Sequence, residues 1–213
     1  MGNNAYPHEV QRGKGRPRSF DREEALRKAL DVFWRRGYEP ASMTELCQAM
    51  GINAPSVYAA FGNKSRLFLE AVHFYEDTYW KAPSQKFIKE PDLYRAVNDF
   101  FQESARILLS PDSPCGCMVV LAAINVSDDA EEITKSIREL RFATKKMFAD
   151  RLIRGITDGQ LPENADVPAL AGAFNTMLEG LSIQARDGLS QSELEHIASH
   201  AVRLLPDWER SRP

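Results

Sequence analysis

Between Ser42 and Leu67 the chain reads SMTELCQAMGINAPSVYAAFGNKSRL, and its punctuation leaves room for two short helices joined by a tight turn. Ser42 and Glu45 form a capping box, so a helix is expected from Met43 with Leu46, Cys47 and Met50 facing inward. Gly51 ends it. Asn53 is a second N-cap, and Pro55 falls in the first turn, where its missing N–H costs nothing; the new helix runs to Phe61, before Gly62. This is the spacing of a helix-turn-helix. A two-helix corner in an ordinary helical core would be written in much the same way.

The flanks separate the two readings. At about 100° per residue, Ala54, Val57 and Phe61 share one side of the second helix, and Pro55, Ser56, Ala59 and Ala60 share the other. The second side is small and uncharged, so it can sit deep in a major groove. Tyr58 stands at its edge within reach of a phosphate, and Lys64 follows at the start of the next helix, whose N-terminus favours anions. The expected DNA contacts are Thr44, Asn53, Ala54, Pro55, Ser56, Tyr58, Ala59 and Lys64. Upstream, RGKGRPRSF is either a solvated tail or an arm for a minor groove, with Arg16 and Arg18 as its contacts.

At these residues the chain resembles the TetR (tetracycline-repressor) family. Thr44, Leu46, Gly51, Ile52, Ser56, Val57, Tyr58, Phe61, Lys64 and Leu67 match its DNA-binding signature. The resemblance implies a one-component transcriptional regulator, a homodimer whose C-terminal domain binds a small molecule and thereby loosens its hold on an operator. Many members carry His or another polar residue where this chain has Ala60, so a phosphate contact is missing or replaced there.

Charge supports a nucleic-acid partner for the N-terminal part. Residues 10–66 carry eleven Lys/Arg against six Asp/Glu, whereas residues 81–213 carry sixteen against twenty. With 213 residues and 43% hydrophobic content, the chain can bury the cores of two helical domains. Its longest apolar run, Met118 to Ile124, falls far short of the ~18 residues that a membrane span needs. The N-terminus has no apolar signal region, so a cytoplasmic location is expected. Three cysteines, Cys47, Cys115 and Cys117, form no even disulfide framework.

The whole chain reads as all-α. Its expected divisions are a basic arm (1–18), a three-helix DNA-binding domain (19–66), a connecting helix (67–81) and a helical regulatory and dimerisation domain (82–213). Lys81 to Pro91 breaks the helical pattern and reads as the boundary. Beyond it, helices are expected over Asp92–Leu109, over the wholly apolar Ser113–Val126, and over Asp128–Gly159. Asp166–Gly188 has two apolar faces, one of them small, and a last capped helix runs from Ser190 to Leu205. A close four-helix dimer interface is expected from Ala169, Gly172, Ala173, Thr176, Gly180, Ile183, Ile197, Ala201 and Leu204, against the alternative of a monomeric core.

An effector pocket is expected from Phe100, Phe101, Asn125, Phe142, Phe174 and Glu179, although core packing accounts for the same residues. No phosphate-binding loop, zinc-protease pair or nucleophile elbow is present, so no cofactor and no enzymatic activity are expected. His196 and His200 have metal-like spacing but lack a third ligand. Cys115 and Cys117 are expected to be structural, Cys117 as a small buried hydrophobe; Cys115 is the better placed of the pair for the alternative of thiol sensing, though a helix would turn the two sulfurs apart and no nearby cation lowers either pKa. The rivals to a ligand-released repressor are a DNA-associated or co-activator module without effector release and, more distantly, an all-helical enzyme or carrier.

Overall fold

The computed structural model describes residues 20–123, 126–127 and 130–206, and among them no strand is present. The basic arm with Arg16 and Arg18, and Asn125, lie outside the described residues.

Asp21 caps α1 (Arg22–Arg36) by accepting from the N–H groups of Glu23 and Glu24. Ser42 and Asn53 do the same for α2 (Met43–Met50) and α3 (Ala54–Phe61), as their positions in the sequence dictate. α4 (Lys64–Tyr75) packs against α1, and the head closes on the T-shaped pair Phe33–Phe68 at 5.1 Å, with Leu46, Val57 and Leu67 fully buried around it.

The break expected over Lys81–Pro91 shrinks to its C-terminal end, residues 90–92, and does not begin at Lys81. α4 passes through a π turn (Glu76–Trp80), in which the Lys81 N–H reaches Glu76 O, directly into α5 (Lys81–Lys89). Pro83 has no N–H to give, and its ring crowds the carbonyl four residues back; the π turn just before it relieves that conflict without ending the helix.

α6 (Leu93–Leu108), α8 (Glu131–Thr157) and α9 (Val167–Arg186) form the body, around the stacked Phe101–Phe148 pair at 5.9 Å and the buried Phe174. The apolar helix expected over Ser113–Val126 shrinks to the single turn α7 (Met118–Leu121). Ahead of it the backbone is held by tertiary partners. The Gly116 N–H donates to Leu108 O at 2.8 Å, Gly116 O accepts from the Trp34 indole at 3.0 Å, and the Cys117 N–H donates to Ser182 Oγ at 2.7 Å. Gly116, at φ +83°, is the residue that can take this path.

The last helix is also shorter than expected. α10 (Gln191–Ala198) keeps the capping box of Ser190 and Glu193 and then gives way to a 3-10 turn, Ala201–Leu204. Ser199 Oγ donates to His196 O, and His200 Nδ1 lies 3.0 Å from the same carbonyl, so side chains take the place of the helical donor.

Candidate nucleic-acid interface and effector cavity

On α3, Val57 and Phe61 are buried, while Ala54, Pro55, Tyr58 and Ala59 are exposed. Ala54 therefore faces outward, not with Val57 and Phe61 as the helical wheel suggests; it stands in the first turn, beyond the reach of α2. Thr44 and Asn53 are also exposed, and Ser56 is half-buried, with its N–H on Asn53 Oδ1 at 2.9 Å. The result is a smooth, uncharged face with a phenol at its rim, Tyr58 being 52% exposed.

Lys64 is more constrained than a free cation at a rim. Its Nζ donates to Glu39 O at 3.0 Å and lies 4.5 Å from the centroid of the Tyr38 ring. Burial lowers its pKa, opposed by the Glu39 carboxylate. Beside it, Asn63 Oδ1 accepts from the Arg66 N–H at 2.9 Å, capping α4. Under Ala60, whose carbonyl accepts from Arg22, the guanidinium of Arg22 lies 4.5 Å from the Phe61 ring and pairs with Glu70. Arg66, exposed in the first turn of α4 with its side chain beside Gly62, is a further cation of the head that the sequence pattern did not single out.

In the body, α6, α8, α9 and the π turn enclose a cavity of about 50 Å³. Its apolar wall includes Trp80, Phe100, Met147 and Leu178; its polar groups are Glu76, Ser84, Arg141, Thr144, Asn175 and Glu179. Broader grooves of about 310 Å³ beside Ile88 and Arg151, and about 250 Å³ beside Arg27 and Asp112, lie outside this wall. Of the residues expected in the pocket, Phe100 and Glu179 line it. Phe101 and Phe174 are fully buried in the aromatic core behind it, and Phe142 points away, 62% exposed. The aromatic periodicity marks these rings as large but does not say which of them meet empty space.

Arg141 donates twice to Val119 O, at 2.9 and 3.1 Å, and once to Val120 O at 3.1 Å, tying α8 to α7. Glu179 accepts from Asn175 Nδ2 at 2.9 Å, a pair four apart that was visible in the sequence. The Glu76 carboxyl makes no hydrogen bond among the described residues. Burial, with the nearby Asp77 charge, pushes its carboxyl up to about 7. An acidic residue interrupting the apolar spacing of a long helix was its only signal.

The cavity wall is wired to the head. Besides the Trp34 indole on Gly116 O, the Tyr38 N–H donates to Ala122 O at 2.8 Å, and Arg186 at the end of α9 donates to Arg35 O at 3.1 Å. All three clamp the C-terminal end of α1 or Tyr38, two residues beyond it.

On the outer side of α9, Ala169, Thr176 and Ile183 are exposed, Gly172, Ala173 and Gly180 are half-buried, and a Cβ placed on Gly180 meets nothing within 4 Å. Ile197 and Leu204 are exposed beside them. Ala201 is fully buried and is removed from the expected interface, because the 3-10 turn rotates it into its own core. No group of three or more His, Cys, Asp or Glu able to hold a metal occurs among the described residues. Cys115 and Cys117 are not on one helix; Cys115 is exposed, whereas burial pushes the Cys117 thiol up to about 11 and keeps it protonated. No helix among the described residues is long and apolar enough to cross a membrane.

Residues 25–71 match the family model of bacterial regulatory proteins of the tetR family, and residues 94–200 match that of the LmrA/YxaF-like transcriptional regulator C-terminal domain. The chain is 34% identical to the HTH-type transcriptional repressor ComR of Escherichia coli (strain K12), over 93% of this chain and 95% of that protein. It is 28% identical to the repressor BdcR of the same organism, over 90% and 92%. Among solved structures, a cysteine mutant of the TetR family regulator CifR in complex with a 26-base-pair operator superposes with a TM-score of 0.87 at 38% identity, covering 90% of this chain and all of that one. Two matched domains, a near full-length repressor relative and a DNA-bound counterpart carry the conclusion that the chain belongs to the TetR family and is a DNA-binding transcriptional regulator, not an enzyme.

Proposed function

We propose that this regulator is a repressor that grips a palindromic operator as a homodimer and lets go when a small molecule enters the body cavity. In this reading Pro55, Ser56 and Ala59 meet base edges, with Ala54 beside them, while Thr44, Asn53, Tyr58 and Lys64 hold the backbone at the rim. Two heads are paired through α9 and α10 by Ala169, Gly172, Ala173, Thr176, Gly180, Ile183, Ile197 and Leu204, and read half-sites about one helical turn, ~34 Å, or somewhat more apart.

The observation that carries effector release is the clamp on α1. The segment from Gly116 to Ala122 walls the cavity on one side and holds Trp34 and Tyr38 on the other, so an occupant cannot move that wall without moving the head. The test is fluorescence anisotropy on the DNA upstream of the gene, titrated with a metabolite panel. A ligand that releases wild type and fails to release Trp34→Phe, while still binding it, supports the coupling. Equal release of both proteins refutes it.

A further inference from the structure

The polar groups of the cavity point to one class of ligand. Glu76, from the π turn, and Glu179, from α9, bring two carboxyls to a space walled by Trp80 and Phe100. The one cation there, Arg141, directs two of its nitrogens to the carbonyls of Val119 and Val120. Glu179 receives a single donor from Asn175, and Glu76 none among the described residues. Two carboxylates against one partly engaged guanidinium leave the cavity acidic. Trp80 turns its indole N–H away, onto Tyr75 Oη at 2.7 Å, and offers the cavity its ring. An aromatic face next to a carboxylate is the environment that retains an organic ammonium.

We propose that this cavity takes a small apolar organic cation, an alkyl- or arylammonium, held by the carboxylates of Glu76 and Glu179 against the rings of Trp80 and Phe100. This assignment rests on reading the cavity as the effector site. An incoming ammonium supplies the counter-charge that Glu76 lacks, whereas an anion adds a third negative charge beside two carboxylates. Burial, with the Asp77 charge beside it, already holds the Glu76 carboxyl up at about 7, and an ammonium seated against it would favour the ionised form. At about 50 Å³ the cavity holds only a few water molecules, so the occupant is small or wedges the wall apart as it enters.

Isothermal titration of the full-length protein at about pH 8, where Glu76 is ionised, compares benzylammonium, benzyl alcohol and benzoate. Benzylammonium is expected to bind at least ~10-fold more tightly than the other two, and Glu76→Gln and Glu179→Gln are each expected to weaken it by ~10-fold or more while leaving benzyl alcohol unchanged. Glu76→Gln keeps the neutral form that burial already favours, so it folds; Glu179→Gln provides the same test on a second element. Benzoate or benzyl alcohol binding as tightly as benzylammonium, or no binding of benzylammonium, overturns the proposal. Thr144→Trp, which fills the cavity, separates the two levels of inference. If it abolishes benzyl alcohol binding and the cation shows no advantage, the effector site stands and the charge assignment falls. If benzylammonium binds Thr144→Trp undiminished, both fall.

Discussion

Replacing Gly116 by alanine perturbs the point where head, cavity wall and α9 meet. The left-handed backbone at φ +83° costs a non-glycine residue about 1–2 kcal/mol. The added Cβ also falls 2.5 Å from Leu121 Cδ1 and 2.8 Å from Ser182 O. The leucine methyl can rotate aside; the serine carbonyl belongs to the backbone of α9 and cannot. Relief requires the segment to shift, and that weakens at least one buried hydrogen bond among Trp34–Gly116, Gly116–Leu108 and Cys117–Ser182, at ~1 kcal/mol or more. The sum is about 3 kcal/mol, or a fall in Tm of ~6–12 °C for a chain of this size. Gly159→Ala is the control. It has φ +71° with nothing within 4 Å of the new Cβ, so it isolates the backbone cost at ~1–2 kcal/mol. Thermal melts at one protein concentration, followed by circular dichroism, compare the two. Gly116→Ala should melt distinctly lower and also bind operator DNA more weakly. Equal melting temperatures would mean that the wall yields freely, and the coupling drawn from it would fail.

Tyr58→Phe removes a rim hydroxyl and is expected to weaken binding to all DNA sequences alike, whereas Ala59→Ser should change sequence preference; gel shifts on operator and scrambled DNA tell them apart. Lys64→Ala should lower the log–log salt slope by ~0.9 per lost phosphate contact on each subunit, and an unchanged slope would assign Lys64 wholly to Glu39 and Tyr38. Gly180→Phe should split the dimer in sedimentation velocity, because the space outside Gly180 is open in the single chain and, in the proposed dimer, is filled by the partner's helix. Because the Glu76 carboxyl is raised to about 7, the folded state binds a proton that the unfolded state releases, so this group's contribution to stability falls as pH rises from about 4.5 to about 7 and is level above. The groups sharing its surroundings are Asp77, Tyr75, Cys117, Arg141 and Glu179. In Glu76→Gln that component of the Tm-versus-pH curve should vanish.

The head was legible because its helices begin and end on local chemistry. Asp21, Ser42 and Asn53 cap with their own side chains, and Gly51 and Gly62 close the turns, so nothing distant is needed to place α1 to α3. Elements whose backbone partners lie far along the chain were not legible. Ser113–Val126 looks like a buried helix by composition, yet Gly116 and Cys117 are held by Trp34 and Ser182, 82 and 65 residues away. Pro83 reads as a stop, and only the π turn before it shows how a helix continues through. The cavity was the least legible part. Periodicity ranks Phe101 and Phe174 with Phe100, and a difference of a few ångströms in helix placement decides which ring borders the space.

α9 meets the cavity, its wall, the end of α1 and the outer surface at different heights. Asn175 and Glu179 stand at the cavity near its midpoint, Ser182 grips the wall, Arg186 holds the end of α1, and Ile183 looks outward. Twenty residues of helix make a rod ~30 Å long, so a tilt of ~5° about its middle carries the Arg186 end by ~1.3 Å. That displacement stretches a 3.1 Å hydrogen bond beyond its working range. In the proposed release, α9 is a lever whose fulcrum, load and handle are all on one bar.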